Sequence, residues 1–264
     1  MTRPNNIVSD GPDAALSEGE KTVTTTFDRP MDFRSAFNAL SALFANPDDT
    51  KQAFRIIETL SGATGERLFA KFRATEVGRR ALAEHRALLP ALQDTSALEA
   101  LPASSLGRAY LEFLRSQQIT ADGLVAASEE GYSLDPDLDA DRRLFNHRLR
   151  DMHDLWHVVS GYRGDLIGEG AVLALSFAQT KNLGVGLIAL LGILKIGGTF
   201  PGSRKIIWNG FLRGRRAKWL PAVDWEAMLS RPLDDVRREL GCDAPPTYDP
   251  LYTSDPRVAA AMAA

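Results

Sequence analysis

The sequence predicts an all-α fold: a single multi-helix domain behind an N-terminal tail expected to be disordered. Three observations carry this. From Asp32 onward, apolar residues recur at three- and four-residue spacing, the period of one helix face. Strand-like alternation is scarce over the same span, and no internal repeat is visible. The composition, 44% hydrophobic and 25% charged over 264 residues, is that of a globular chain with a real core.

Residues 1–31 are polar and carry Asp10, Asp13, Glu18 and Glu20. They lack both the Arg-rich, acid-poor character of a mitochondrial presequence and the apolar run of a secretory signal. A disordered tail is expected there, with a short extended stretch at Thr22–Phe27. Residues 32–264 form the helical domain, expected to bind metal and lipid and to end in a Pro-rich C-terminal tail. Thr50 is placed to cap a helix that bears Ala53, Phe54, Ile56, Ile57 and Leu60 and stops at Gly62. Thr75 starts another, through Val77 and Leu82. Ser104 or Ser105 starts Leu106–Leu114, with Tyr110, Phe113 and Leu114 on one side. The stretch 131–141, with Pro136 and three aspartates (Asp135, Asp137 and Asp139), reads as a loop. One long helix over about 140–160 follows. Gly161 and Gly164 break it, and Asp165 is placed to cap the next. The final helix is expected to run from Asp224 to Leu240 and to stop at Gly241.

The long helix carries the chemistry. The chain has only four histidines, His85, His147, His153 and His157, and the last two are four residues apart. On a helix, positions i and i+4 share a face, so both imidazoles can address one ion. Asp154 lies between them, and Glu169 follows eleven residues after His157, in the first turn of the next helix. Two imidazoles and two carboxylates make a first shell for a divalent metal. Asp154 stands where a zinc protease would have its general-base Glu, one methylene too short for that role. Glu169 would also suit a helix N-terminus without any metal, but its neighbours Leu166, Ile167, Val172 and Leu173 place it near a core, where a carboxylate requires a cation or hydrogen bonds. His147, six residues upstream of His153, is expected to have an ordinary surface role. The single cysteine, Cys242, excludes an intramolecular disulfide and any multi-cysteine metal cluster, and is compatible with a reducing compartment.

Leu183–Ile196 is almost wholly apolar, and Lys195 is the only charge between Lys181 and Arg204. A bilayer-spanning helix needs roughly 20 apolar residues. Glycines 184, 186, 192, 197 and 198 and Pro201 interrupt this run, so no span is expected. The run reads as a core helix, as the wall of a site for a long apolar ligand, or as a face that dips into a lipid surface. The basic stretch after it, with Arg204, Lys205, Arg213, Arg215, Arg216 and Lys218, favours lipid, because anionic membrane surfaces attract such clusters. The net charge of −3 gives no reason to expect nucleic acid as a partner.

These residues resemble the coenzyme Q (ubiquinone) biosynthesis protein four family. His153-Asp154-x-x-His157, eleven residues, then Glu169, is similar to its metal signature. Leu101-Pro102-x-x-Ser105-Leu106-Gly107-Arg108-x-Tyr110 resembles an upstream block. Arg215-Arg216-Ala217-Lys218, Trp225-Glu226, Pro232-Leu233 and Val236-Arg237-Arg238-Glu239-Leu240-Gly241 resemble a C-terminal block. The likeness spans about residues 33–250. It implies a helical, membrane-associated protein of the ubiquinone pathway, linked to oxidative decarboxylation at ring carbon 1 of a prenylated 4-hydroxybenzoate-derived precursor. It also implies a role in organising the other biosynthetic enzymes into one complex.

Carried over by position, the metal ligands and catalytic residues would be His153, Asp154, His157 and Glu169. The ion would be divalent: zinc by the family's usual association, with iron, manganese, magnesium or cobalt open to the same nitrogen-and-oxygen set. Arg213, Arg215 or Lys218 would contact the substrate head group. The expected partners are a prenylated aromatic quinone precursor, a membrane surface and the other pathway enzymes, and a homo-oligomer is compatible with them. The acidic N-terminus suggests a cytoplasmic protein, peripheral on the inner face of a bacterial membrane. Two rival readings stay open. One is a non-catalytic lipid-binding scaffold with a structural metal. The other is an HD-type metal-dependent phosphohydrolase, which would need His147 and Asp165 as further ligands.

Overall fold

The computed structural model describes residues 31–45, 50–117, 138–242, 247–252 and 254–258. The expected tail up to residue 30, with Thr22–Phe27, and the expected loop up to Asp137 lie outside the described residues. Among those residues every regular element is helical, and the one ladder-like pairing is an isolated antiparallel bridge between Ser105 and Pro232. The helices are α1 (Phe33–Ala45), α2 (Thr50–Thr59), α3 (Thr64–Ala74), α4 (Glu76–Ala83), α5 (Leu89–Gln93), α6 (Thr95–Glu99) and α7 (Leu106–Ser116). After the undescribed stretch come α8 (Ala140–Asp151), α9 (His153–Ser160), α10 (Leu166–Thr180), α11 (Leu183–Thr199) and α12 (Pro201–Arg216). A 3-10 turn (Leu220–Ala222), α13 (Trp225–Met228) and α14 (Leu233–Leu240) complete the order.

Side-chain caps set most of the starts. Thr75 accepts from Gly78 N at 2.9 Å, Ser105 from Arg108 N at 3.2 Å and Asp139 from Arg142 N at 2.9 Å. Asn182 Oδ1 accepts from both Gly184 N and Val185 N. Gly161 and Gly241 end α9 and α14 at φ +72° and +69°, the left-handed conformation in which a side chain is strained.

Two expected helices are each split in two. The helix over 140–160 breaks at Met152, whose ψ of −5° departs from the helical value and re-aims α9. No Pro or Gly marks the place; Met152 is buried in the main core, so the kink is a packing effect. The helix from Asp224 to Leu240 breaks between Met228 and Leu233. There Pro232 has no N–H to give, and the Leu229 and Arg231 carbonyls turn away to accept from Gly107 N (2.8 Å) and Leu106 N (2.9 Å). The break thus ties the C-terminal block to the start of α7.

Helix α10 is the axis of the molecule. Lys181, at φ +58°, turns the chain back into α11, and α12 then returns alongside α10. Gly170 faces Ile207, Gly210 faces Ala171, and Gly214 faces Leu175. The paired numbers rise together, so α10 and α12 run parallel. A Cβ on Gly210 would overlap the Ala171 carbonyl oxygen, and one on Gly214 would lie 2.7 Å from the Leu175 oxygen. The backbones therefore touch because these positions are glycine. Around this axis the largest core joins α7, α9, α10 and α14 through Tyr110, Leu114, Leu155, Trp156, Val159, Val172, Leu175, Val236 and Leu240. A second core, with Ile167, Ala174, Ala189 and Ile207, joins α10, α11 and α12.

Candidate metal centre

Helix α9 has eight residues, too few to persist alone in water. Burial of Leu155, Trp156 and Val159 anchors it, and each of its last four carbonyls has a donor. Gly161 N donates to His157 O (2.6 Å) and Arg237 Nη2 to Val158 O (2.9 Å). Arg237 Nε donates to Val159 O (3.1 Å) and Arg213 Nη2 to Ser160 O (2.9 Å). Two guanidinium groups thus satisfy the carbonyl end of the helix and complement its negative dipole.

Helix α10 is fixed at its start by Asp165. Its Oδ1 accepts from Ile167 N (3.0 Å) and Leu251 N (3.0 Å), and its Oδ2 accepts from the Tyr248 hydroxyl (2.8 Å). Glu169 lies one turn on, its N–H bonded to the Asp165 carbonyl at 2.8 Å.

These two anchored helices bring three side chains together. One ligand atom from each of His153, His157 and Glu169 lies within 4.8 Å of the other two. His157 Nε2 stands 3.2 Å from His153 Nε2 and 3.4 Å from Glu169 Oε1, and His153 Nε2 stands 3.6 Å from Glu169 Oε2. Ligands held about 2.0–2.1 Å from an ion at tetrahedral angles are themselves roughly 3.3 Å apart, and these contacts, the two carboxylate ones made by different Glu169 oxygens, are close to that spacing. His157 Nδ1 is 3.1 Å from the Tyr162 carbonyl oxygen. A carbonyl can only accept, so Nδ1 holds a proton and Nε2 is the nitrogen left to ligate a metal. Phe113 of α7 stacks on the His157 ring, at 5.1 Å between centroids, and fixes its plane.

The centre has an inner wall and an open side. The His157 side chain is fully buried, whereas His153 keeps 38% and Glu169 45% of their side-chain exposure. Burial pushes His157 down, but the charges of Glu169 and Asp154 outweigh it and hold the imidazole above its usual value. Burial pushes Glu169 up, and the two histidines reverse this, holding the carboxyl well below the ordinary range. The group is a preformed pair of bases and an anion, a donor set that suits a divalent cation.

Asp154 lies beside this triangle and outside it. Its carboxylate is not among the ligand atoms that lie within 4.8 Å of one another, but it is within electrostatic reach of all three residues. Burial holds it above its usual value; both histidines pull it down, and Glu169 adds repulsion. Tyr110 of α7 is its neighbour in the core, its hydroxyl pushed up by burial and then by the charges of Asp154 and Asp151.

The basic residues have different partners. Arg213 is buried, bonded to Ser160 O and stacked 4.9 Å over the Tyr162 ring, and its Nε and Nη1 have no protein acceptor. Arg215 is exposed at the far end of α12. Lys218 Nζ lies 3.4 Å from Glu239 Oε1. The phosphohydrolase reading finds neither of its extra ligands: His147 is outside the cluster, and the Asp165 oxygens are spent on the N-terminus of α10 and on the 248–251 segment. Sequence reasoning did not foresee Phe113, the Tyr162 carbonyl, or Arg213 and Arg237 as caps of α9; only their residue types were visible there.

Residues 24–246 match the family described as Coenzyme Q (ubiquinone) biosynthesis protein Coq4. The ubiquinone biosynthesis protein COQ4 homolog, mitochondrial, of Drosophila ananassae is 31% identical over 192 residues, covering 70% of this chain and 67% of that one. The corresponding protein of Schizosaccharomyces japonicus is 29% identical over 203 residues, 74% of this chain and 82% of that one. A crystal structure assigned to ubiquinone biosynthesis in Nostoc punctiforme shares the fold, with a TM-score of 0.55 at 19% identity over 80% of this chain and 98% of that one. Family match, relatives and fold agree, and the chain belongs to the Coenzyme Q (ubiquinone) biosynthesis protein Coq4 family.

Proposed function

We propose that this protein catalyses the oxidative decarboxylation of a prenylated 4-hydroxybenzoate-derived precursor at ring carbon 1, at a divalent metal held by His153, His157 and Glu169. The observation that carries the reading is the half-open His-His-Glu triangle, with ligand atoms 3.2–3.6 Å apart, in a chain of a ubiquinone-biosynthesis family. When bound, the ion polarises the substrate carboxylate and stabilises charge as carbon dioxide leaves. The bond from ring carbon 1 to its carboxylate would break as carbon dioxide leaves, and a bond to a water-derived oxygen would form. The change is a two-electron oxidation, with dioxygen taking both electrons and two protons and leaving as hydrogen peroxide.

The chain's own residues do the rest. Tyr162 and Phe113 orient His157, and Asp154 contributes negative charge beside the ligands. Arg213, whose buried Nε and Nη1 have no protein acceptor, is assigned to an anionic head group. The prenyl tail lies along the apolar surface of α10 to α12, where Leu173, Ile193, Ile196, Phe200 and Phe211 pack on the second core. No helix among the described residues is long and apolar enough to cross a membrane. Access to a prenyl substrate is through a lipid surface met by Leu183, Leu190 and Leu194 of α11 and Trp208 of α12, all about half exposed. The same exposed face leaves room for the other enzymes of the pathway.

The test is mass spectrometry of quinone precursors in cells whose only copy carries Glu169→Ala. The expected result is accumulation of a prenylated ring that retains its carboxylate, at normal protein level. Normal ubiquinone would remove Glu169 from the chemistry, and loss of the protein or its complex with no such precursor would favour the scaffold.

A further inference from the structure

At the other end of α10 from Glu169, ten residues or roughly 15 Å away, a second feature has no part in the metal chemistry. A cavity of about 420 Å³ opens between α3, the C-terminal ends of α10 and α12, and Trp219. Four of its lining residues, Arg67, Lys71, Lys181 and Arg215, are cations, and no carboxylate lines it. None of the four takes part in an ion pair among the described residues. Arg67 Nη2 donates to Thr64 Oγ1 at 2.9 Å, and Lys71 Nζ stands 3.9 Å over the Trp219 ring. Lys181 lies near 6 Å over Phe177 (5.9 Å) and Phe211 (5.8 Å), and Arg215 lies 6.0 Å over Phe211. The aromatic rings thus position the cationic heads without neutralising them.

Several basic groups elsewhere are neutralised by carboxylates. Arg148 with Glu226, Arg142 with Glu66, Arg231 with Glu239 and Arg238 with Asp235 all meet carboxylates. Four cations without carboxylate partners lining one concavity in an overall acidic protein concentrate positive potential where a multivalent anion can bridge them. Burial also lowers Lys71, a cost that a bound anion would relieve.

We propose that this groove is an anion site for a phosphate-bearing ligand, with Arg67, Lys71, Lys181 and Arg215 as its contacts and Trp219 as its wall. The site is distinct from the metal centre, and its test does not depend on the decarboxylase reading. The phosphate is carried either by a lipid head group or by a soluble molecule.

The experiment measures binding of the full chain to pyrophosphate by calorimetry, and to phosphatidylcholine vesicles with and without phosphatidic acid by flotation. It is run on the wild type, on K71Q/R215Q, and on a control, R79Q/R238Q, which removes as much charge outside the groove. Binding about tenfold weaker in K71Q/R215Q than in the control supports the site. If pyrophosphate shows it, the ligand is soluble; if only the phosphatidic acid vesicles show it, the ligand is a lipid head group. Equal effects of the two double variants, or no binding to either probe, overturn the proposal. Thermal unfolding verifies that K71Q/R215Q folds, and R67Q/K181Q serves as the second variant if it does not.

Discussion

His157 is the residue on which the centre turns. Its ring is fully buried, one nitrogen is committed to the Tyr162 carbonyl, and the other faces His153 and Glu169. Glu169 supplies the only carboxylate of the triangle, so Glu169→Gln, which keeps shape and removes charge, should weaken divalent-metal binding by at least about tenfold. Metal content after dialysis against a graded chelator reads this directly, and unchanged retention would count against the ligand assignment. A second residue-scale prediction concerns a pair remote from the site. Arg148 is 1% exposed and bidentate to Glu226, at 2.6 and 3.0 Å. Burial pushes the Glu226 carboxyl up, but Arg148 and then Arg86 outweigh it and hold the group below its ordinary 4.5. A depressed carboxylate contributes stability that is complete above the unfolded value and is lost as pH falls through the folded one. The melting temperature should therefore drop below about pH 4.5, and E226Q should flatten that part of the profile. E226Q should also cost about 3–5 kcal/mol at neutral pH, because it leaves Arg148 buried without its counter-ion. Chemical denaturation across pH checks both parts.

At the scale of elements, α9 is a short helix held from outside. Arg237 closes two of its last carbonyls, so R237M, which keeps length and removes the donors, should destabilise the protein by about 1–3 kcal/mol. It should also loosen metal binding without touching the metal. Comparing melting and metal affinity in one preparation tests this; full metal affinity in R237M would mean that α9 does not need the cap. The same elements show what the sequence reveals and what it hides. Thr75, Ser105 and Asp165 mark helix starts by local chemistry, and each does so in the fold; Asp139, read as a loop residue, caps α8 as well. The i, i+4 histidines and the Glu one helix on are local as well, which is why the triangle was legible. The kink at Met152 arises from packing and no Pro or Gly announces it, whereas the break before Leu233 combines bonds to α7 with Pro232, which the sequence does show. Arg213 and Arg237 reach α9 across 53 and 78 residues of sequence, a distance at which spacing carries no signal. Asp154 is adjacent to His153 in sequence, yet the close cluster in the fold holds only His153, His157 and Glu169.

For the whole molecule, the contact of α10 with α12 joins the metal centre, the second core and the basic groove. Gly210 allows that contact, and G210A should cost about 1–3 kcal/mol by forcing the two backbones apart. A lowered melting temperature with retained helical circular dichroism is the expected result; an unchanged one would show that the helices adjust freely. On the outer side, α11 leaves Leu183, Leu190 and Leu194 in solvent, the apolar face that the proposed access from a lipid surface uses. The central claim is that His153, His157 and Glu169 hold the metal at which ring carbon 1 exchanges carboxylate for hydroxyl. The measurement that tests it most directly is single-turnover conversion of a prenylated 4-hydroxybenzoate by purified, metal-loaded protein, with the wild type and Glu169→Gln compared under dioxygen. The account predicts release of carbon dioxide and a ring-1-hydroxylated product from the wild type, and loss of both in the variant. Equal turnover by the two proteins, or none by the metal-loaded wild type, would contradict it.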